Sequence, residues 1–275
     1  SGQRWAVRDS NRGPNQMLAS DETTADTDKS GNGDMGSTFA TDTTFPTNYT
    51  DGMNASSGTF VAHCWRANGG TTATNDEGSL DSTVQANTKA GFSIVETPNF
   101  SGSCTLGHGL TKAPEFVIHK LTASGNNWNA WHTGLSGAGY IIRVNSTAAE
   151  TTGSHFNSTA PTADVFSLGA SLAGSGAGIC YLWHSVEGYS KFGKYEGNGS
   201  SDGPFIYTGF RPRLLFAKHT SAARHWTSID TARNTYNPTQ TVLDWDANYA
   251  EYTSANRAFD ILSNGFKIRT SDGET

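Results

Sequence analysis

Hydrophobic residues fall in short runs separated by clusters of Gly, Asn and Ser. FVIHKL (116–121) and RLLFAK (213–218) are continuous apolar runs bounded by Pro and Gly, and they predict buried strands. YIIRV (140–144) and FKIRT (266–270) alternate, which suits strands with one face in a core. SGNN (124–127), EGNGSSDG (196–203) and SNG (263–265) are turn signals. No window of a dozen residues carries a 3.6-residue period, so helices are not expected. Segments 66–90 and 187–204 read as connectors.

The same pattern recurs along the chain, and a fixed period signals repeated units. Gly91-Phe92-Ser93-Ile94-Val95, then GHGLTKAPEFVIHK (107–120) and Trp128, match Gly188-Tyr189-Ser190-Lys191-Phe192, then TGFRPRLLFAK (208–218) and Trp226. Pro114 and Pro212, Lys120 and Lys218, and Trp128 and Trp226 are each 98 residues apart. A partial third copy lies at the N-terminus, where Trp5, Asp9 and Arg12 repeat the spacing of Trp226, Asp230 and Arg233. The middle copy has His132 and Leu135 instead. Phe45, Phe166 and Phe266 follow their tryptophans at similar distances, and FVAHCW (60–65) and GICYLW (178–183) read as closing strands.

These landmarks divide the chain into three modules. Residues 1–70 form a partial β module lacking its first third. Residues 71–186 form a complete β module with an N-terminal connector. Residues 187–275 form a β module lacking its closing strand. The chain reads as a window from a longer polypeptide. The expected fold is all-β: tandem antiparallel β-sandwich modules, jelly-roll-like or lectin-like. Modules in series predict an elongated rod in which each touches mainly its neighbours in sequence.

Composition narrows the function. The 275 residues include 31 Gly, 7 Trp, 9 Tyr and 14 Phe, so turns are plentiful and the aromatics suffice for cores. Only 16% of residues are charged, with a net charge of −6 and no Lys/Arg block, which argues against nucleic-acid partners. No apolar run is long enough to insert in a membrane as a helix. The three cysteines, Cys64, Cys104 and Cys180, are widely spaced and do not form a disulfide framework. Cys64 and Cys180 stand beside Trp in apolar runs and read as buried thiols.

Candidate chemistry is sparse. No G-x-S-x-G elbow, H-E-x-x-H or C-x-x-C occurs, and the eight His read as surface or turn residues. No catalytic residue is assigned and an enzyme is not expected. The Asp9/Arg12 and Asp230/Arg233 pairs can be a ligand clamp or pins that hold a loop against the Trp ring. Their repetition favours scaffold, with Trp5, Trp128 and Trp226 in the same role. Asp26, Asp28, Ser30 and Asp34 space oxygen ligands as a calcium loop does, although position 12 is Ser37 rather than Glu. Calcium is the sole cofactor considered. Trp131, Trp245, Tyr249 and Tyr252 fall outside the repeated landmarks and are the candidate ligand-binding aromatics.

VEGYSKFGKYEGNGSSDGPFIYTGFRPRLLFAK (186–218), GFSIVETPNFSG, TLGHGLTKAPEFVIHK and FDILSNGFKIR (259–269) carry a further signal. They resemble a repeat module of tail-fibre-like or appendage structural proteins of tailed bacteriophages, especially marine ones. The resemblance covers nearly the whole chain, matches poorly over 19–55, and brings no catalytic residues with it. It implies a β-rich virion component on the particle surface that displays loops for attachment to host-surface glycans. Its partners would be other virion proteins and copies of itself, as a homo-oligomer such as a trimer. The alternatives are an architectural capsid-decoration or baseplate component without receptor binding, and a carbohydrate-binding or depolymerase module, which would need paired carboxylates in a groove.

Overall fold

The computed structural model describes residues 4–13, 15–28 and 58–273. The fold is all-β, built from several antiparallel sheets arranged as sandwich modules. Ser30, Asp34 and Phe45 lie outside the described residues.

The N-terminal module contributes a three-stranded meander of β1 (Ala6–Val7), β2 (Gln16–Ala19) and β3 (Thr27–Asp28). The middle module holds β4 (Ala73–Asn75), β5 (Ser82–Asn87), β6 (Phe92–Thr97), β7 (Cys104–Gly107), β8 (Phe116–Leu121), β9 (Asn129–His132), β10 (Tyr140–Arg143), β11 (Thr151–Thr152), β12 (Val165–Leu168) and β13 (Gly178–Trp183). Eight of these form one sheet in the order β11-β10-β9-β8-β13-β6-β5-β4. The β7–β12 pair is a separate ladder, and its buried Leu106, Phe166 and Leu168 belong to the module's core.

The C-terminal module repeats this plan. A four-stranded sheet runs β15 (Leu214–Ala217), β16 (Thr227–Asp230), β17 (Thr241–Asp244) and β18 (Tyr252–Thr253). A second, of β14 (Phe205–Tyr207), β20 (Gly265–Ile268) and β19 (Phe259–Leu262), stands where β7 and β12 stand in the middle module. Strand for strand, β8-β9-β10-β11 corresponds to β15-β16-β17-β18, and β1-β2-β3 corresponds to the last three of each.

All six residues of β8 are buried, as its continuous apolar run requires. Alternate residues leave opposite faces of the strand. Phe116 stacks at 5.5 Å on Trp183 and lies 6.3 Å from Trp226 of the C-terminal module. His119, on the other face, meets His155 with ring nitrogens 2.9 Å apart. Gly178 opens β13 beside this pair; a Cβ there would lie 2.5 Å from His119 Nε2 and 2.9 Å from Thr97 Oγ1.

Four expectations are corrected. Phe60–Trp65 is not a strand, because no described strand pairs with it. Cys64, on this segment, is consequently exposed, whereas Cys104 and Cys180 are buried. His108, His119, His155 and His184 are buried rather than at the surface. The modules do not form a rod, since the first touches the third.

The buried His pair makes stability depend on pH. Burial drives His155 down to about 4. Burial, then the neighbouring His155 and Lys120, hold His119 well below its ordinary value. The folded chain therefore keeps both rings neutral, one donating its N–H to the other, while the unfolded chain takes up protons near pH 6.5. Stability is full above pH 6.5 and falls as the pH drops toward 4. His155 alone accounts for a loss on the order of 3 kcal/mol across that window. Urea midpoints at pH 7 and 4.5 measure it, and His155→Gln should flatten the difference.

Candidate functional site

The repeated landmarks come together at the contacts between modules. Each landmark Trp sits at the start of an equivalent strand, and its carbonyl accepts the N–H that follows the next strand of its own module. Ser20 N–H donates to Trp5 at 3.0 Å, Val144 to Trp128 at 2.9 Å and Trp245 to Trp226 at 3.1 Å.

The indole of each Trp reaches the neighbouring module. Trp128 Nε1 donates to the Ala19 carbonyl at 2.8 Å, Trp226 Nε1 to the Arg143 carbonyl at 2.8 Å, and Trp5 Nε1 to the Asp244 carbonyl at 2.9 Å. The acceptors are the last residues of β2, β10 and β17, which occupy one place in the repeat. The middle module thus grips the first, the third grips the middle, and the first grips the third. Three like modules close into a ring with quasi-threefold symmetry, and this arrangement replaces the expected rod.

Two of the contacts share three more bonds. Lys120 Nζ donates to the Thr23 carbonyl at 3.4 Å and Lys218 Nζ to the Thr147 carbonyl at 3.1 Å. The backbone pairs Asn126–Thr23 and Thr122–Asp26 in the first are matched by Arg224–Thr147 and Thr220–Glu150 in the second. Burial lowers both lysines to about 8, and each Nζ donates to the main-chain carbonyl of the following residue, Leu121 or His219.

The Asp–Arg pairs serve the same frame. Asp9 Oδ1 accepts from the N–H groups of Asn11 and Arg12, and Asp230 Oδ1 from those of Ala232 and Arg233. Arg12 Nε lies 2.6 Å from Asp9 Oδ2, and Arg233 Nε lies 2.5 Å from Asp230 Oδ2. Each guanidinium then reaches a second carboxylate, Asp26 at 2.9 Å and Glu251 at 2.7 Å. In the middle module, Gly134 N–H donates to His132 Nδ1 and Ser136 to Glu150, so the turn is pinned without an arginine.

The first triad is the more deeply buried, and Tyr181 of the middle module donates its hydroxyl to Asp9 Oδ2 at 2.6 Å. Burial alone would pull the Arg12 guanidinium down, but Tyr181, Asp9 and Asp26 outweigh it and hold it above its ordinary value. Burial and the Asp9 charge push Tyr181 well up, so it stays a donor. Burial opposes ionisation of Asp230, but its hydrogen bonds to Arg233 and the turn hold it below its usual range. These groups are mutually satisfied and do not face a ligand space.

Aromatic rings fill the contact between the first and third modules. Trp5 lies 5.6 Å from Trp245 and 5.8 Å from His63, and Phe216 lies 4.1 Å from Trp245. Trp65 bridges Trp245 and Trp183.

The ligand-binding candidates do not converge. Trp131 is buried in β9. Trp245 belongs to the inter-module cluster. Tyr252 donates to Asp244 Oδ2 at 2.8 Å and lies under the Arg257 guanidinium. Trp131 is thus covered, while Trp245 and Tyr252 are half-buried in packing contacts. Tyr249 is exposed, with its ring edge-on to His225 at 5.8 Å. Asp26 is engaged by Arg12 rather than open to calcium, and Asp28 lies on exposed β3. Among the described residues, no group of three or more His, Cys, Asp or Glu could hold a metal ion, and no helix is long and apolar enough to cross a membrane. Two depressions on the described surface are open, one lined by Arg66, Asn87, Lys89 and Tyr189 and another by Leu80, Phe100 and Cys104.

Sequence reasoning did not identify Asp26 and Glu251 as third members of the triads. They lie 14 and 18 residues after their arginines, because the intervening loops differ in length. Tyr181 and His63 share one position in the closing segment, a correspondence that the FVAHCW–GICYLW match already contained.

Comparison with curated proteins and with solved structures returns no match. A family model covers residues 1–275 of the chain. By that match, the chain belongs to the family described as Domain of unknown function (DUF7483).

Proposed function

We propose that the chain is a structural segment of a tailed-bacteriophage particle, part of a tail fibre or similar appendage. Its loops would be displayed at the particle surface for attachment to host glycans. One observation carries this reading: the recurring Trp and Lys residues bond across the contacts between modules, and the recurring Asp–Arg pairs are spent on pinning turns. A chain whose repeated chemistry is spent on cohesion suits a load-bearing element. The resemblance of VEGYSKFG and its neighbouring motifs supplies the particle. The exposed rings of Tyr189, Tyr207, Tyr236 and Tyr249 supply the kind of surface on which sugars stack.

Antibodies raised against the folded chain should decorate an appendage of intact particles in gold-labelled electron microscopy. Label confined to the capsid shell, or missing from particles, would refute the appendage assignment.

A second reading is an architectural component without receptor contact. The burial of Trp131 and the engagement of Trp245 and Tyr252 favour it. Glycan-array binding that is lost in Tyr249→Ala selects the first reading. An array without signal, together with full host adsorption in the presence of excess chain, selects the second.

A further inference from the structure

The indole fastening is the same at each joint between modules, but the residue packed beside it differs. Where the middle module meets the first, Tyr181 fills the closing place and donates its hydroxyl to Asp9 at 2.6 Å. Where the first meets the third, the equivalent place holds His63. Here the Trp5 indole donates to the Asp244 carbonyl at 2.9 Å, and Ser20 Oγ donates to the Trp245 carbonyl at 3.0 Å. His63 packs on the rings that frame these bonds. Its centroid is 5.8 Å from Trp5 and 6.0 Å from Trp245, with planes within 22° and 20°. Trp5 and Trp245 are 5.6 Å apart, so the three rings form a triangle, and Trp65 meets His63 edge-on at 6.4 Å.

Both nitrogens of His63 are buried and have no hydrogen-bond partner among the described residues. A neutral imidazole leaves one N–H and one lone pair unmet there. An imidazolium leaves two N–H groups unmet and adds a charge, which costs more. The neighbouring charges do not relieve this. In the third module's turn, Asp230 attracts a cation and Arg233 repels it, and the two are bonded to each other. Arg233 also holds Glu251. Beside Trp245, Asp244 is held by Arg257 and Tyr252, and Asp246 by His225 and the Trp226 N–H. Beside Trp5, Arg4 pairs with Glu22. On the segment of His63 itself stands Cys64, a thiol that carries no charge in acid. Burial, with Arg233 on its side, outweighs Asp230 and holds His63 below its ordinary value.

We propose that the joint between the first and third modules is an acid-released latch, with neutral His63 as its pin. Protonation favours the state in which the two modules part, because water then solvates both N–H groups. Parting breaks the bond from Trp5 to Asp244 and uncovers the faces of Trp5 and Trp245. The sign follows from linkage: the closed joint binds the proton less well than the open one. Closure is therefore complete above pH 6.5 and weakens as the pH falls. The opening constant rises by up to about tenfold per pH unit in that range. The joint between the middle and first modules lacks this pin, since burial and the Asp9 charge keep the proton on Tyr181.

Solvent exchange of the Trp5 indole N–H, followed by NMR and corrected for the intrinsic rate at each pH, measures the opening. Its protection should fall several-fold, up to about tenfold, between pH 6.5 and 5.5. His63→Phe keeps a ring in the triangle and has nothing to protonate, so the fall should vanish. His155→Gln removes the pH response of the buried pair in the middle module, so the fall should persist. Protection indifferent to pH, or falling equally in His63→Phe, would overturn the proposal. So would a fall that disappears in His155→Gln, because the acid effect would then be unfolding of the whole chain. Because a variant can fail to fold, the unaltered chain provides a second measurement. The ring protons of His63 should titrate with a midpoint below 6.5, the ordinary imidazole value. A midpoint at or above 6.5 would refute the latch.

Discussion

Trp128→Ala is expected to lower the stability of the chain by about 3–5 kcal/mol, the range for deleting a large buried aromatic. Trp128 is buried among the rings of the middle module and closes the contact with the first through the Ala19 carbonyl. Trp128→Phe separates the two contributions. It keeps most of the packing and leaves that carbonyl unpaired, so about 1–2 kcal/mol of the loss should remain. Trp5→Ala should cost less, since Trp5 is only half-buried although it makes the equivalent bond. Urea unfolding followed by tryptophan fluorescence and by far-UV dichroism measures all three. A Trp128→Ala loss below about 1 kcal/mol would remove the indole bonds as the fastening between modules.

Asp9→Ala should be about as damaging, at about 3–5 kcal/mol, because it leaves a buried cation without its main partner. The Asp9 and Arg12 side chains are 2% and 6% exposed, and Tyr181 loses its acceptor in the same step. Asp230→Ala is the internal control. Its arginine also holds Glu251, whose side chain is 47% exposed, so water can take up more of the lost interaction. Asp9→Ala is therefore expected to cost more than Asp230→Ala in the same urea titration. Equal losses would show that burial does not distinguish the two triads. Replacing Asp9, Arg12 and Asp26 together by apolar residues should recover part of the loss, since the uncompensated charge is then gone.

The sequence showed much of the fold because the modules repeat. The 98-residue spacing of Trp128 and Trp226 carries over to β8 and β15 and to β9 and β16, which start 98 residues apart. The apolar run at 116–121 gave a strand buried on both faces. The ring was not legible, because each closing bond ends on a main-chain carbonyl that has no residue signature. The triads were half legible: Asp9 and Arg12 share one turn and so keep a fixed spacing, whereas Asp26 and Glu251 stand just before β3 and β18, which loops of different length place. The aromatic reading of 245–252 took polarity in sequence for exposure. Trp245 follows β17 and packs between the first and third modules, Tyr252 opens β18 and packs on Asp244 and Arg257 within the third, and Tyr249 is exposed.

The three indoles end on the oxygens of an alanine, an arginine and an aspartate. A fastening of this kind is blind to side-chain identity on the receiving side, so those positions are free to drift while the joint persists. Each module can then serve as a cassette, duplicated or exchanged during evolution without re-inventing the fit to its neighbours, provided that the tryptophan travels with it.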